Sequence, residues 1–65
     1  MDIKFNDFMD ITYYLTEIRL IDYYSDKFIK CITPKEWFTN KQDYEHLYVY
    51  AVGVGTNGLE VKVGK

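Results

Sequence analysis

A chain of 65 residues holds one domain at most, and it buries only about 60% of the surface its unfolded form exposes, so its stability is marginal. The net charge of −2 and pI near 5.1 lack the basic stripe that neutralises phosphates, which argues against a nucleic-acid binder. A lone cysteine, Cys31, excludes an internal disulfide, and one histidine leaves no cluster for a structural zinc.

In the N-terminal part, Asn6 or Asp7 can cap a helix whose apolar stripe is Phe8, Ile11, Leu15 and Ile18. Ile11, Thr12, Tyr13 and Tyr14 are poor helix formers, however, and the same stretch alternates acceptably as a strand. From Ile18 to Ile32 the pattern favours a hairpin, with strands Ile18–Tyr24 and Lys27–Ile32 turning at Ser25-Asp26. The competing reading continues the first helix to about Tyr24.

The sharpest local signal follows. Thr33 and Glu36 form a capping box, Pro34 stands at the first helical position, and Ile32 and Trp37 occupy the two places of a hydrophobic staple. The helix is short, because Thr39-Asn40 and Lys41-Gln42-Asp43 continue no apolar stripe. Trp37 and Phe38 lie about 100° apart on it, so one anchors the core and the other sits at its edge.

The chain ends in a β-hairpin, with strands near Leu47–Val54 and Leu59–Val63. Strict alternation puts Tyr48, Tyr50, Val52 and Val54 on one face, and Val49, Ala51, Gly53 and Gly55 on the other. An Asn57-Gly58 loop pairs Val54 with Val61 and Val52 with Val63; a Thr56-Asn57 loop flanked by Gly55 and Gly58 has the same parity. Either way Val52, Val54, Val61 and Val63 face the core, with Tyr48 and Tyr50 on their side. The whole reads as α+β over residues 1–65: a single compact domain, an antiparallel sheet with one or two short helices laid on it.

Few residues invite chemistry. A catalytic His46 needs a convergent acid, but Glu45 beside it on a strand points to the opposite face. Cys31 lies in an apolar run and reads as a small buried hydrophobe. Gly-Val-Gly-Thr-Asn-Gly at 53–58 matches a dinucleotide fingerprint in letters alone, since a strand pattern follows where a helix is required. Neither a catalytic constellation, a metal site nor a cofactor is expected, and the protein is read as no enzyme.

Tyrosine is in excess: seven residues, including the pairs Tyr13-Tyr14 and Tyr23-Tyr24, are too many for so small a core. Exposed tyrosines suit protein recognition, since they offer large contact area at low rotamer entropy. The expected partner-binding residues are Tyr14, Tyr24, Tyr44 and Tyr48, with Asp22, Asp26, Asp43 and Glu45 as an acidic surface drawing a basic partner. Tyr48 is the weakest of these, because alternation turns it toward the core.

In length, acidity and aromatic content the chain resembles the compact accessory proteins of phages and mobile elements, including inhibitors of host defence such as anti-CRISPR proteins. The resemblance implies a small protein-binding inhibitor that blocks a host defence or nucleic-acid-handling protein by bulk or charge; it singles out no residues. A self-associating or complex-completing subunit is the alternative, and a single-strand nucleic-acid binder using tyrosine stacking ranks below it. The charged N-terminus lacks a signal-peptide pattern, no apolar stretch spans a membrane, and a free thiol fits the cytoplasm of a host cell. An initiator Met and a tail ending just past the last strand read as a complete short gene product.

Overall fold

The computed structural model describes residues 2–65; Met1, read above as the initiator, lies outside them. Five strands make one sheet in the order β1-β4-β5-β2-β3. They are β1 (Ile3–Lys4), β2 (Glu17–Asp22), β3 (Phe28–Ile32), β4 (Tyr48–Val54) and β5 (Gly58–Gly64). Helix α1 (Phe5–Asp10) follows β1, and α2 (Pro34–Trp37) follows β3 and runs on as a 3-10 segment, Phe38–Tyr44. The α+β class and the C-terminal hairpin are as the sequence indicates. The sheet is mixed: neighbouring strands are antiparallel except β2 and β5, which run parallel with Glu17 beside Gly58 and Asp22 beside Val63. Parallel pairing needs a long crossover, and the whole stretch from β3 through β4 supplies it.

All helical segments lie on one face. Phe5 and Met9 of α1 and Trp37 of α2 pack on Ile18, Leu20, Ile32, Val49, Val61 and Val63, with Phe8, Tyr44, Leu47 and Leu59 around the margin. The other face of the sheet carries no covering layer among the described residues.

The N-terminal helix differs from the stripe read in the sequence. It starts at Phe5, one residue after β1, with no side-chain cap, and buries Phe5 and Met9. It stops at Asp10; Ile11 is 86% exposed, Leu15 is exposed, and Ile18 belongs to β2. β-branched and aromatic residues from Ile11 to Tyr14 lose side-chain freedom in a helix, and so short a helix persists only through tertiary packing. Asn6 supplies some of that packing instead of a cap. Its Oδ1 accepts from the Trp37 indole N–H at 2.8 Å, and its Nδ2 donates to the Lys41 carbonyl at 3.2 Å.

The hairpin reading of the next segment holds, and the long-helix alternative does not. Asp26 adopts φ 59 in the turn, a left-handed conformation that Asp tolerates. The capping box is present: the Glu36 amide donates to Thr33 Oγ1 (3.3 Å), and the Thr33 amide donates to Glu36 Oε1 (3.2 Å). Trp37 is 2% exposed and Phe38 65%, which settles which of the two is the anchor.

In the C-terminal hairpin the loop is Thr56-Asn57, with Gly55 N–H donating to Gly58 O at 2.7 Å. Val54 therefore faces Leu59, and Val52 faces Val61. No glycine of the described residues has positive φ. A bulge at Tyr50 then shifts the register, so that Val49 pairs with Val63 while Ala51 pairs with Lys62. An extra residue reverses the alternation. Val49 consequently joins Val52 and Val54 on the helical side, while Tyr48 and Tyr50 turn to the bare face, opposite to the sequence reading. Val61 and Val63 are buried as expected, but Val52 (50% exposed) and Val54 (89%) extend beyond the helices.

Candidate functional site

A sheet face left to solvent ordinarily alternates to polar residues. This one does not. It presents Ile21, Phe28, Ile29 and Cys31 among Glu17, Arg19, Glu60 and Lys62, and at the C-terminal ends of β2 and β5 it carries a tyrosine cluster.

Tyr23 and Tyr50 stack at a centroid distance of 4.7 Å with planes 21° apart. Tyr24 meets both edge-on, at 5.5 Å from Tyr23 and 6.0 Å from Tyr50. The main chain places them. Tyr23 N–H donates to Val63 O at 2.9 Å, continuing the parallel pairing by one step, and the bulge delivers Tyr50 from β4. Gly64 lies beneath the rings, where a Cβ would stand 2.7 Å from Tyr24 Cε2 and 3.0 Å from Tyr50 Cε2. The hydroxyls join: Tyr24 OH donates to Tyr50 OH (3.3 Å), and Tyr50 OH donates to the Lys65 carbonyl oxygen (3.0 Å). The hydrogen bond with Tyr24, and then desolvation, push the Tyr50 hydroxyl up to about 12. The outer surfaces of the three rings remain exposed.

Two carboxylates flank the turn after β2, Asp26 on the bare-face side and Asp22 on the helical side, in register with Val63. Asp22 accepts from both the amide (2.9 Å) and the hydroxyl (2.6 Å) of Ser25, which closes the turn and holds its carboxyl below the usual range. Asp26 pairs with Lys62 at 3.0 Å. Towards the hairpin tip, the Arg19 guanidinium lies 4.3 Å over the Phe28 ring. Arg19, Glu17, Cys31 and Glu60 there line a depression of about 380 Å³. Cys31 is exposed in it, not buried, because it pairs with Arg19 on the face away from the helices.

The expected partner-binding residues divide. Tyr24, Asp26 and Tyr48 come to the tyrosine end of the bare face, whereas Asp22, in register with Val63 and two residues on from Leu20, points to the helical side. Asp43, Tyr44 and Glu45 belong to the 3-10 segment and its end, in the helical layer. Tyr44 packs its ring 5.5 Å from Phe5 at the core margin, which leaves it little surface to offer. Tyr14 stands in the α1–β2 loop, its carbonyl accepting from the Lys35 amide (3.1 Å), beside a groove of about 320 Å³ floored by Met9, Pro34 and Trp37. Tyr23 and Tyr50 were missed. Tyr23 was signalled by its neighbour Tyr24, whereas Tyr50 was assigned to the core face by an alternation that the bulge reverses.

Among the described residues no three His, Cys, Asp or Glu side chains are grouped to hold a metal, and no helix is long and apolar enough to cross a membrane. Comparison with known proteins finds no match to this chain among family models, curated proteins or solved structures.

Proposed function

We propose that this protein is a non-enzymatic protein-binding module whose bare sheet face receives a basic segment of its partner. One observation carries the reading: Tyr23, Tyr24 and Tyr50 are locked to one another on an uncovered face, with their outer surfaces exposed and Asp26 nearby. Rings fixed in this way lose little further entropy on binding. Their faces attract a guanidinium or ammonium, the chemistry that Arg19 already makes with Phe28 inside the chain. Asp26, paired with Lys62 in the free chain, is the carboxylate on that side of the sheet. The molecule measures 26 × 26 × 20 Å, so one face offers on the order of 600 Å², near the lower range for one side of a specific interface.

The biological form of the proposal is an inhibitor of a host defence or nucleic-acid-handling protein, in the manner of phage or mobile-element accessory proteins, acting in the host cytoplasm. Steric and charge blockade need only a rigid surface, which 65 residues supply. Direct nucleic-acid stacking is disfavoured by the charges on the face: Arg19 stands between Glu17 and Glu60, and Lys62 is paired with Asp26.

Affinity capture from host extract tests this, using the wild-type chain beside Tyr24→Ala, Tyr50→Ala and Asp26→Ala. The expected result is one basic partner, released by high salt and lost with each bare-face variant but retained by Tyr13→Ala, in a loop away from that face. A partner held equally by all variants would refute the site. Binding of a labelled oligonucleotide at low salt would replace the protein partner with nucleic acid.

A further inference from the structure

We infer that the protein also self-associates, by antiparallel pairing of the free edge of β4 with β4 of a second copy about a two-fold axis at Gly53. This inference is independent of the bare-face reading, because it rests on the sheet edge.

β4 is an outer strand over most of its length. β1 pairs only with Tyr48 and Val49, and among the described residues nothing pairs with Ala51–Val54 on that side. The hydrogen bond from Gly55 N–H to Gly58 O fixes which groups are free. Main-chain groups of an antiparallel strand point alternately to its two neighbours. Gly55, Gly53 and Ala51 thus turn theirs to β5, and Val52 and Val54 turn theirs outward.

Gly53 has no reason to be glycine within one copy. Its φ is not positive, and a Cβ there would meet nothing within 4 Å. Glycine inside a strand weakens it, and where it is kept it often marks a close approach by another backbone. Gly53 is the midpoint of the free stretch 51–55. A two-fold axis there sets Val52 of each copy opposite Val54 of the other, so that their outward groups exchange hydrogen bonds. The two Gly53 residues then face each other as a non-hydrogen-bonded pair, the closest approach in the ladder, about 4.5 Å between Cα atoms.

The side chains agree with this occupant. Exposed edges are normally defended by charge. β3, the opposite edge, carries Lys30 with Lys27 just before it, whereas Ala51-Val52-Gly53-Val54-Gly55 carries no charge. An anionic chain therefore meets its copy without like charges in the contact. Val52 and Val54, left bare beyond the helices, cover each other across the axis. The axis stands perpendicular to the sheet, so both helical layers fall on one side and both tyrosine clusters on the other. The free stretch 51–55 is about 17 Å long at roughly 3.4 Å per residue, so the contact is smaller than a standard interface and a weak dimer is expected.

Sedimentation equilibrium of the full chain from 1 to 500 μM (an experimental range on the order of any weak dimer's dissociation constant) should show monomer and dimer in exchange. Val54→Lys, at a position already exposed, should raise the dissociation constant at least tenfold while leaving circular dichroism and the melting curve at low concentration unchanged. In a Cys31→Ser background, Gly53→Cys should oxidise to a covalent dimer, and Thr56→Cys should not. A monomer throughout the range overturns the inference, as does a dimer indifferent to Val54→Lys; the first outcome would leave the edge to a strand of a different protein.

Discussion

Gly58→Ala tests the least expected feature of the fold, the parallel pairing of β5 with β2. Gly58 opens β5 beside Glu17, and its φ is not positive, so the turn does not require glycine there. What requires it is contact. A Cβ at Gly58 would lie far inside van der Waals distance of the Glu17 carbonyl oxygen and 3.0 Å from the carbonyl carbon. That oxygen belongs to the main chain and cannot rotate aside as a side chain would. The two strands must part at the first rung of the parallel ladder. Overpacking costs about 1–3 kcal/mol, and a backbone clash belongs at the top of that range, near 3 kcal/mol. Proteins hold roughly 0.05–0.15 kcal/mol per residue, about 3–10 kcal/mol for a chain of this length, so the variant loses from about a third to all of its stability. Urea or thermal unfolding followed by circular dichroism is the assay. At about 4–8 °C per kcal/mol for domains of this size, the midpoint should fall by roughly 12–24 °C. Gly53→Ala, compared at concentrations where the chain is monomeric, serves as the control and should be neutral or stabilising, since within one copy its Cβ enters open space. A Gly58→Ala variant within about 0.5 kcal/mol of wild type would refute the β2–β5 contact.

Three further outcomes follow from named contacts. Gly64→Ala should move the Tyr24 ring off Tyr50 at little cost in stability, under about 1 kcal/mol because the ring can swing away; loss of partner capture without loss of melting temperature would confirm it. Absorbance titration of the phenols should show a step at about pH 12 that Tyr50→Phe removes. Because folding raises this group from 10.0, its contribution to stability is complete below pH 10 and is lost as pH rises through about 12. Thr33→Ala should cost about 1 kcal/mol by removing the acceptor of the Glu36 amide, and a melt unchanged from wild type would count against the cap.

What could be read in the sequence was encoded by neighbours. Thr33, Pro34, Glu36 and Trp37 specify the start of α2 within five residues, and the alternation of Leu59, Val61 and Val63 with Glu60 and Lys62 specifies β5. What could not be read depends on distant partners. The helix at Phe5–Asp10 has an unremarkable local pattern; it is secured by Asn6 reaching Trp37 and Lys41, 31 and 35 residues away. Those contacts select Phe5 and Met9 over the stripe through Ile11 and Leu15. The insertion of β5 between β4 and β2 likewise leaves no periodic signature, because a strand alternates the same way beside a parallel or an antiparallel neighbour.

The bulge at Tyr50 joins these two kinds of information. Val49, Val52 and Val54 are all bulky and apolar, yet a period of two cannot bring the first to the same face as the others. A sheet covered on one side needs Val49 over the core, opposite Val63, as well as Val52 opposite Val61. One inserted residue meets both demands, at the cost of a local break in the ladder. The same residue that lets the core close sends Tyr48 and Tyr50 to the uncovered face, where Tyr50 meets Tyr23 and Tyr24. The tyrosine cluster is therefore a consequence of how the core is packed: straightening β4 would return Tyr50 to the helical side and dissolve the cluster, even with every tyrosine still present.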